Sequence, residues 1–302
     1  MIREGMIVAR QSYRCDILFQ VHKLDATMQV AELIGEEVRL FADAPITDLV
    51  VMSDAEKNKL RHQLKEKADR SFRLFRQDYE LLKQKRDYVA SSGYKLSERY
   101  FEIPGKVLHV DGDQRYLEKC LELYKKLNVP VIGVHMSEVD MPNRVPQLIE
   151  QVRPDVLVVT GHDAYVKNKG EKSDLQAYRH SKYFVRTVKE VRSKIRHLDQ
   201  LVIFAGACQS HFESLIKAGA NFASSPKRVN IHALAPVYIV SKICFTSFMD
   251  RVRLVDVLRN TLSNEGGLGG VETRGLLRTG MPMQPVSELI SFQKEEQEED
   301  GT

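Results

Sequence analysis

Cys208 and His162 occupy matching places along the chain. QLVIFAG (200–206) and DVLVVT (155–160) are apolar runs of strand length. Each leads through a small residue to a reactive side chain: Ala207 then Cys208 after the first, Gly161 then His162 after the second. The spacing predicts Cys208 at the end of a buried strand and the start of a helix near 209–218. Free amides and the helix dipole favour a thiolate there, and a thiolate is the nucleophile of acyl transfer. Gly206 and Ala207 leave room for a substrate backbone. Parallel strands deliver both ends to one edge, ~5 Å apart if adjacent and ~10 Å if one strand intervenes. His162 is then placed as general base, or as acid toward a leaving amine. The plainer alternatives are a buried structural cysteine and a satisfied loop histidine. His211, three residues beyond Cys208, competes as the base from the helix side.

Other polar residues fall on the same edge. Asp111 and Asp113 follow the strand KVLHV (106–110). A carboxylate there suits a guanidinium, although Asp111 also reads as a turn residue and Asp113 as a helix N-cap. Ser224 and Ser225 follow ANFASS (220–225) and either line a substrate cleft or make a Ser-Ser-Pro turn. Glu213 and Asp163 are weaker acidic candidates. His109, His135, His180 and His232 read as structural, and their spacing matches no tight metal motif, so neither metal nor cofactor is expected. The run Gly266-Gly267-Leu268-Gly269-Gly270 has no preceding strand and no Lys-Ser/Thr after it. It reads as a flexible lid or linker, not a phosphate loop.

The elements that must position these residues alternate strand and helix over 104–262. Strands at 106–110, 130–135, 155–160, 200–206 and 220–225 are separated by helices near 114–127, 144–152, 180–197 and 209–218, with an apolar segment at 230–248. Nearly continuous Val, Ile and Leu runs mean strands buried on both faces. The expected fold class is therefore α/β, a largely parallel sheet with helices on both faces. Residues 1–52 hold five β-rich runs (6–10, 17–23, 28–34, 38–42, 48–52), which predict a small SH3-like β-barrel. Residues 53–93 read as a long amphipathic helix opened by a Ser53/Glu56 capping box, its basic face solvated. Residues 263–302 are Gly-rich and then acidic, a tail.

At 302 residues the chain has room for about two domains. Its net charge of +4 is too mild for a nucleic-acid or membrane footprint. No apolar window is long enough to span a bilayer, and the charged start MIREGMIVARQ is not a secretory signal. The four cysteines form no CxxC pair, which excludes a zinc ribbon or disulfide scaffold and fits a reducing cytoplasm.

TGHDAY (160–165), AGACQSHFE (205–213), GMIVARQSYRCDILFQV (5–21) and GANFASSPKRVNIHALAPV (219–237) resemble the YabG-type sporulation proteases of spore-forming bacteria over nearly the whole chain. The resemblance implies a cytoplasmic mother-cell protease, associated with the forming spore coat. It would process coat and cortex-related proteins next to Arg or Lys. The strand-His, strand-Cys plan is also similar to the caspase and clostripain group of cysteine peptidases, which implies a caspase-like three-layer sandwich. Carried over, Cys208 is the nucleophile and His162 the acid/base, with the backbone amides of Cys208 and Asp163 receiving the oxyanion. That group usually has Gly directly after the His; here Asp163 stands there. Its Arg-cleaving members place an acid beyond the first core strand, which corresponds to Asp113, the slight favourite, or Asp111. A sporulation thiol endopeptidase favouring Arg is thus expected, with the N-terminal barrel available for scaffold contact. Its rivals are a non-catalytic coat-assembly or nucleic-acid-binding adaptor and a glutaminase-like thiol enzyme.

Overall fold

The computed structural model describes residues 2–25, 27–91, 101–258 and 266–280, with the backbone alone for 85–91. The N-terminal strands are β1 (Ile7–Arg10), β2 (Phe19–Asp25), β3 (Val30–Gly35), β4 (Phe41–Pro45) and β5 (Leu49–Val51). They form one antiparallel sheet in the order β4-β3-β2-β1-β5. Its inner residues Val8, Phe19, Val21, Ala31 and Leu33 are buried, as alternating side chains of a one-sided sheet should be.

Helix α1 (Asp54–Ser91) opens as its sequence predicts: Glu56 accepts from the Ser53 amide, and Ser53 Oγ accepts from the Glu56 amide. Its apolar stripe is not a free spacer. Phe72, Phe75 and Tyr79 join the core of the larger unit, and the Ala68 carbonyl accepts from the Tyr238 hydroxyl.

The second unit starts after β6 (Phe101–Ile103). Its elements are β7 (Val107–Asp111), α2 (Gln114–Lys126), β8 (Val131–His135), α3 (Met141–Val152), β9 (Val156–Thr160), α4 (Ser181–Lys194), β10 (Val202–Ala205), α5 (Phe212–Ala218), β11 (Phe222–Ser224) and α6 (Ala235–Phe245). After them come β12 (Arg251–Val252), α7 (Leu254–Leu258), β13 (Leu268–Gly270), β14 (Thr273–Arg274) and β15 (Arg278–Gly280). The main sheet has six strands in the order β13-β11-β10-β9-β7-β8. All neighbours are parallel except β13 on β11. Every residue of β7, β9 and β10 is buried, which explains their unbroken apolar sequences. One face packs on α1, α2 and α6, the other on α3, α4 and α5.

Two expectations change here. The glycine run forms the edge strand β13 and is neither lid nor linker. Its glycines are what admit it: a Cβ on Gly270 would strike the Asn221 carbonyl, and one on Gly269 the Phe212 ring. Secondary structure therefore continues to Gly280. The acidic end of the tail lies outside the described residues.

Candidate active site

The chain reverses its direction of winding between β7 and β9, where a crevice opens beyond the carboxyl ends of an open parallel sheet. Asp111, Asp113, His162, Asp163 and Cys208 all lie at that edge. Among the described residues no group of three His, Cys, Asp or Glu is placed to hold a metal ion.

Cys208 follows β10 but does not begin a helix. Gln209 takes a left-handed φ of 56°, His211 caps the next helix, and α5 starts only at Phe212. Ser210 locks this turn: its Oγ accepts from the Ala207 amide at 2.9 Å and donates to Asp163 Oδ2 at 2.8 Å. The expected lowering of the thiol pKa is reversed. Cys208 is fully buried, and burial pushes its thiol up to about 12 against the opposing effect of its backbone partners. Its Sγ donates to the Ile231 carbonyl at 3.5 Å and accepts from the Ile231 amide at 3.2 Å. No hydrogen bond joins Cys208 to His162 among the described residues.

His162 stands between two carboxylates. Its Nε2 is 3.3 Å from Asp113 Oδ2, and its Nδ1 is 4.0 Å from Glu138 Oε1. Glu138 also accepts from the His162 amide at 2.8 Å. It occupies the space left by two glycines, since a Cβ on Gly112 or Gly161 would collide with its carboxylate. Sequence reasoning missed Glu138; the two glycines directly after β7 and β9 were its trace. Asp113 caps α2 by accepting from the Arg115 and Tyr116 amides and pairs with the Arg115 guanidinium at 3.0 Å. Burial opposes its charge, but His162 and Arg115 hold it well below the usual carboxylate range.

Asp111 lies deeper and is fully buried. Its Oδ2 is 2.7 Å from an Arg39 guanidinium nitrogen, 3.4 Å from His109 Nε2 and 3.1 Å from Thr160 Oγ1. Burial again opposes its charge, and Arg39 with His109 outweighs that effect, so it too stays well below the carboxylate range. Asp163, buried beneath the turn, has its carboxyl raised by desolvation although the His180 amide, Ser181 and Ser210 all donate to it.

Arg39, which sequence reasoning did not single out, ends up at the centre of the site. Its carbonyl oxygen accepts from the Cys208 amide at 3.2 Å and from the Asp163 amide at 3.4 Å. Its guanidinium also donates to the Ala233 carbonyl at 3.1 Å. Nothing local in the sequence marks it, because its partners lie 72 to 194 positions away: Asp111 is the nearest of them and Ala233 the farthest.

The remaining candidates have other work. His211 accepts from the Ser214 amide and contacts the Ser173 carbonyl at 3.0 Å. Ser225 Oγ donates to the Val229 carbonyl at 2.7 Å and accepts from the Gln209 amide at 3.1 Å, bracing the wall behind Cys208. Ser224 is a buried residue of β11 paired with Leu268. Glu213 pairs with Arg228 away from the His162 cluster.

The model of the family described as YabG peptidase U57 matches residues 3–282 of the chain. The chain is 57% identical over 281 residues to the sporulation-specific protease YabG of Bacillus subtilis, covering 92% of this chain and 97% of that protein. No solved structure matches. With the match running from the first strands through the thiol, histidine and carboxylates of this edge to the last described strand, the chain belongs to the YabG peptidase family.

Proposed function

We propose that the chain is a sporulation-specific thiol endopeptidase in which Cys208 attacks the scissile carbonyl and His162 moves the protons. The observation that carries this reading is the convergence of two backbone amides, those of Cys208 and Asp163, on one carbonyl oxygen at the sheet edge. Donors aimed at a carbonyl beside a cysteine are what stabilise the oxyanion of acyl transfer. His162 takes the thiol proton and returns it to the leaving amine, and Asp113 stabilises the imidazolium formed in between. Asp111 serves as the floor of a pocket for Arg, with Asp113 at its rim. Its buried carboxylate already holds a guanidinium, and the forked Arg head suits such a floor better than Lys does. Ser224 and Ser225 belong to the wall of the same cleft.

The curated relative is a sporulation-specific protease. We read the substrates of this chain as spore coat and cortex-related proteins, met in the mother-cell cytoplasm at the forming coat. The N-terminal sheet, read as an SH3-like barrel, provides a contact to the coat scaffold. The six-stranded sheet is read as a caspase-like sandwich over 104–262. Among the described residues no helix is long and apolar enough to cross a membrane.

The test is incubation of wild type and Cys208→Ala with an Arg-containing protein, with new termini mapped by mass spectrometry. Termini after Arg from wild type alone are expected. Equal cleavage by Cys208→Ala removes the thiol mechanism.

A further inference from the structure

Asp163 has no exposed surface, and donors fill both oxygens of its side chain. Oδ1 accepts from the Ala164 amide and from the His180 amide, each at 2.9 Å. Oδ2 accepts from the Ser181 hydroxyl and, at 2.8 Å, from the Ser210 hydroxyl. A buried carboxylate is tolerated only where donors replace its water, and these four fill its acceptor capacity. The bonds do not stop at the serines. Ser210 Oγ accepts from the Ala207 amide at 2.9 Å, and Ser181 Oγ from the His211 amide at 2.8 Å. Neither serine has any exposed surface, so solvent does not compete for these bonds.

Several stretches of chain therefore meet on one side chain. They are the turn after β9 that carries His162, the turn after β10 that carries Cys208, and the starts of α4 and α5. His180 closes the knot from the histidine side, donating from Nδ1 to the His162 carbonyl at 2.7 Å. The knot also holds a backbone conformation that the local sequence does not favour. Gln209 sits at a φ of 56°, uncommon for a residue with a side chain, and the pinned amides of Ala207 and His211 stand on either side of it. The amides of Cys208 and Asp163, the oxyanion donors of the reading above, lie in the two turns so held.

We infer that Asp163 is a positioning residue of the site: its side chain, acting through Ser210 and Ser181, holds the thiol turn and the histidine turn in fixed register. The inference rests on the thiol peptidase reading above. The carboxylate neither transfers a proton nor binds substrate; it fixes where the nucleophile and the oxyanion amides stand. Such groups act only when held within about 0.5 Å, and a displacement of about 1 Å costs roughly 100-fold in rate. Asparagine is no substitute here. Its NH2 group would face either two backbone amides or two hydroxyls whose protons then have no acceptor, so in each orientation two donors lose their partner.

The test uses the full chain as wild type, Asp163→Asn, Ser210→Thr and Ser210→Val. Threonine and valine add similar bulk at 210 and differ in the hydroxyl alone. Each protein is assayed on an Arg-containing peptide for kcat and KM, and separately for thermal unfolding. Asp163→Asn and Ser210→Val should lose roughly 100-fold in kcat, with KM within about threefold of wild type. Ser210→Thr keeps the link and should stay within about fivefold of wild type, the extra methyl disturbing packing only. The double variant Asp163→Asn/Ser210→Val should be within about threefold of the slower single one, because both changes cut one link. Equal kcat for the Thr and Val variants overturns the inference. So do losses that multiply in the double variant, or lower melting temperatures with kcat of the folded protein unchanged. Should the added bulk at 210 prevent folding, Ser210→Ala takes its place, and a kcat within about threefold of wild type overturns the inference again. Failure of the parent reading looks different: Cys208→Ala then cleaves the peptide as fast as wild type, whatever the changes at 163 and 210 do, and the inference falls with it.

Discussion

One oxygen of Asp113 lies 3.3 Å from His162 Nε2, while the same side chain caps α2. One carboxylate thus ties the start of a helix to the proton-handling residue. Asparagine caps helices about as well as aspartate, so Asp113→Asn should leave stability within roughly 1 kcal/mol of wild type. It removes the charge beside His162, and kcat should fall for Arg and neutral peptides alike, by about 100-fold, the lower end of the usual scale of acid–base assistance. Thermal unfolding and paired kcat values check this. An Arg-selective loss would instead make Asp113 the pocket acid.

Cys208→Ala should abolish proteolysis and leave the far-ultraviolet circular dichroism unchanged. His162→Ala should be nearly as damaging, since residues acting as one unit lose activity together. His211→Ala should lose a helix cap worth about 1 kcal/mol and keep its turnover once folded. An inactive His211→Ala beside an active His162→Ala would reassign the base.

Asp111→Asn should depress cleavage after Arg selectively. Losing a charge-assisted contact of about 2–4 kcal/mol corresponds to roughly 30- to 1000-fold in kcat/KM. Neutral peptides should be affected far less, because the nucleophile is untouched. Matched peptides measure the split, and an unchanged Arg preference takes Asp111 out of the pocket.

Burial, with Lys119 and Arg39 close by, pulls His232 from 6.5 down to about 4. The fold requires the neutral ring, while the unfolded chain takes up a proton below 6.5. Stability should therefore fall as pH drops from about 6.5 to 4, by an amount on the order of 3 kcal/mol, and gain no further loss from this group below that. His109, also lowered by burial, acts in the same direction. Denaturant titrations of Cys208→Ala with and without His232→Asn give the measurement. Identical pH profiles would exclude His232 as the source.

Much of the α/β unit was legible because buried parallel strands need unbroken apolar runs and their ends carry the chemistry. Thus Val156–Thr160 and Val202–Ala205 led directly to His162 and Cys208. The turn after Cys208 was misread because Gln209-Ser210-His211 carries no glycine or proline to break a helix; Ser210 and Asp163 break it through hydrogen bonds. The protonation state of Cys208 was hidden for a different reason. It depends on Leu40 and Val8 closing over the sulfur from the N-terminal sheet, a contact between distant parts of the chain. The Gly266–Gly270 run misled because a run of glycines marks close approach as readily as looseness.

The order β4-β3-β2-β1-β5 has a mechanical consequence. The connection between β3 and β4 separates the three inner strands from the two outer ones along the chain, so a break in it divides the sheet into a central piece and a pair of flanks. Each flank remains hydrogen-bonded to the centre, β4 to β3 and β5 to β1. The nicked molecule is then a two-chain particle that keeps its size in solution while its halves separate in detergent. Its short amino-terminal chain is retained by sheet pairing together with the apolar cluster of Val8 and Phe19 and the bonds of Arg115 to Gln20 and Lys119 to Glu37.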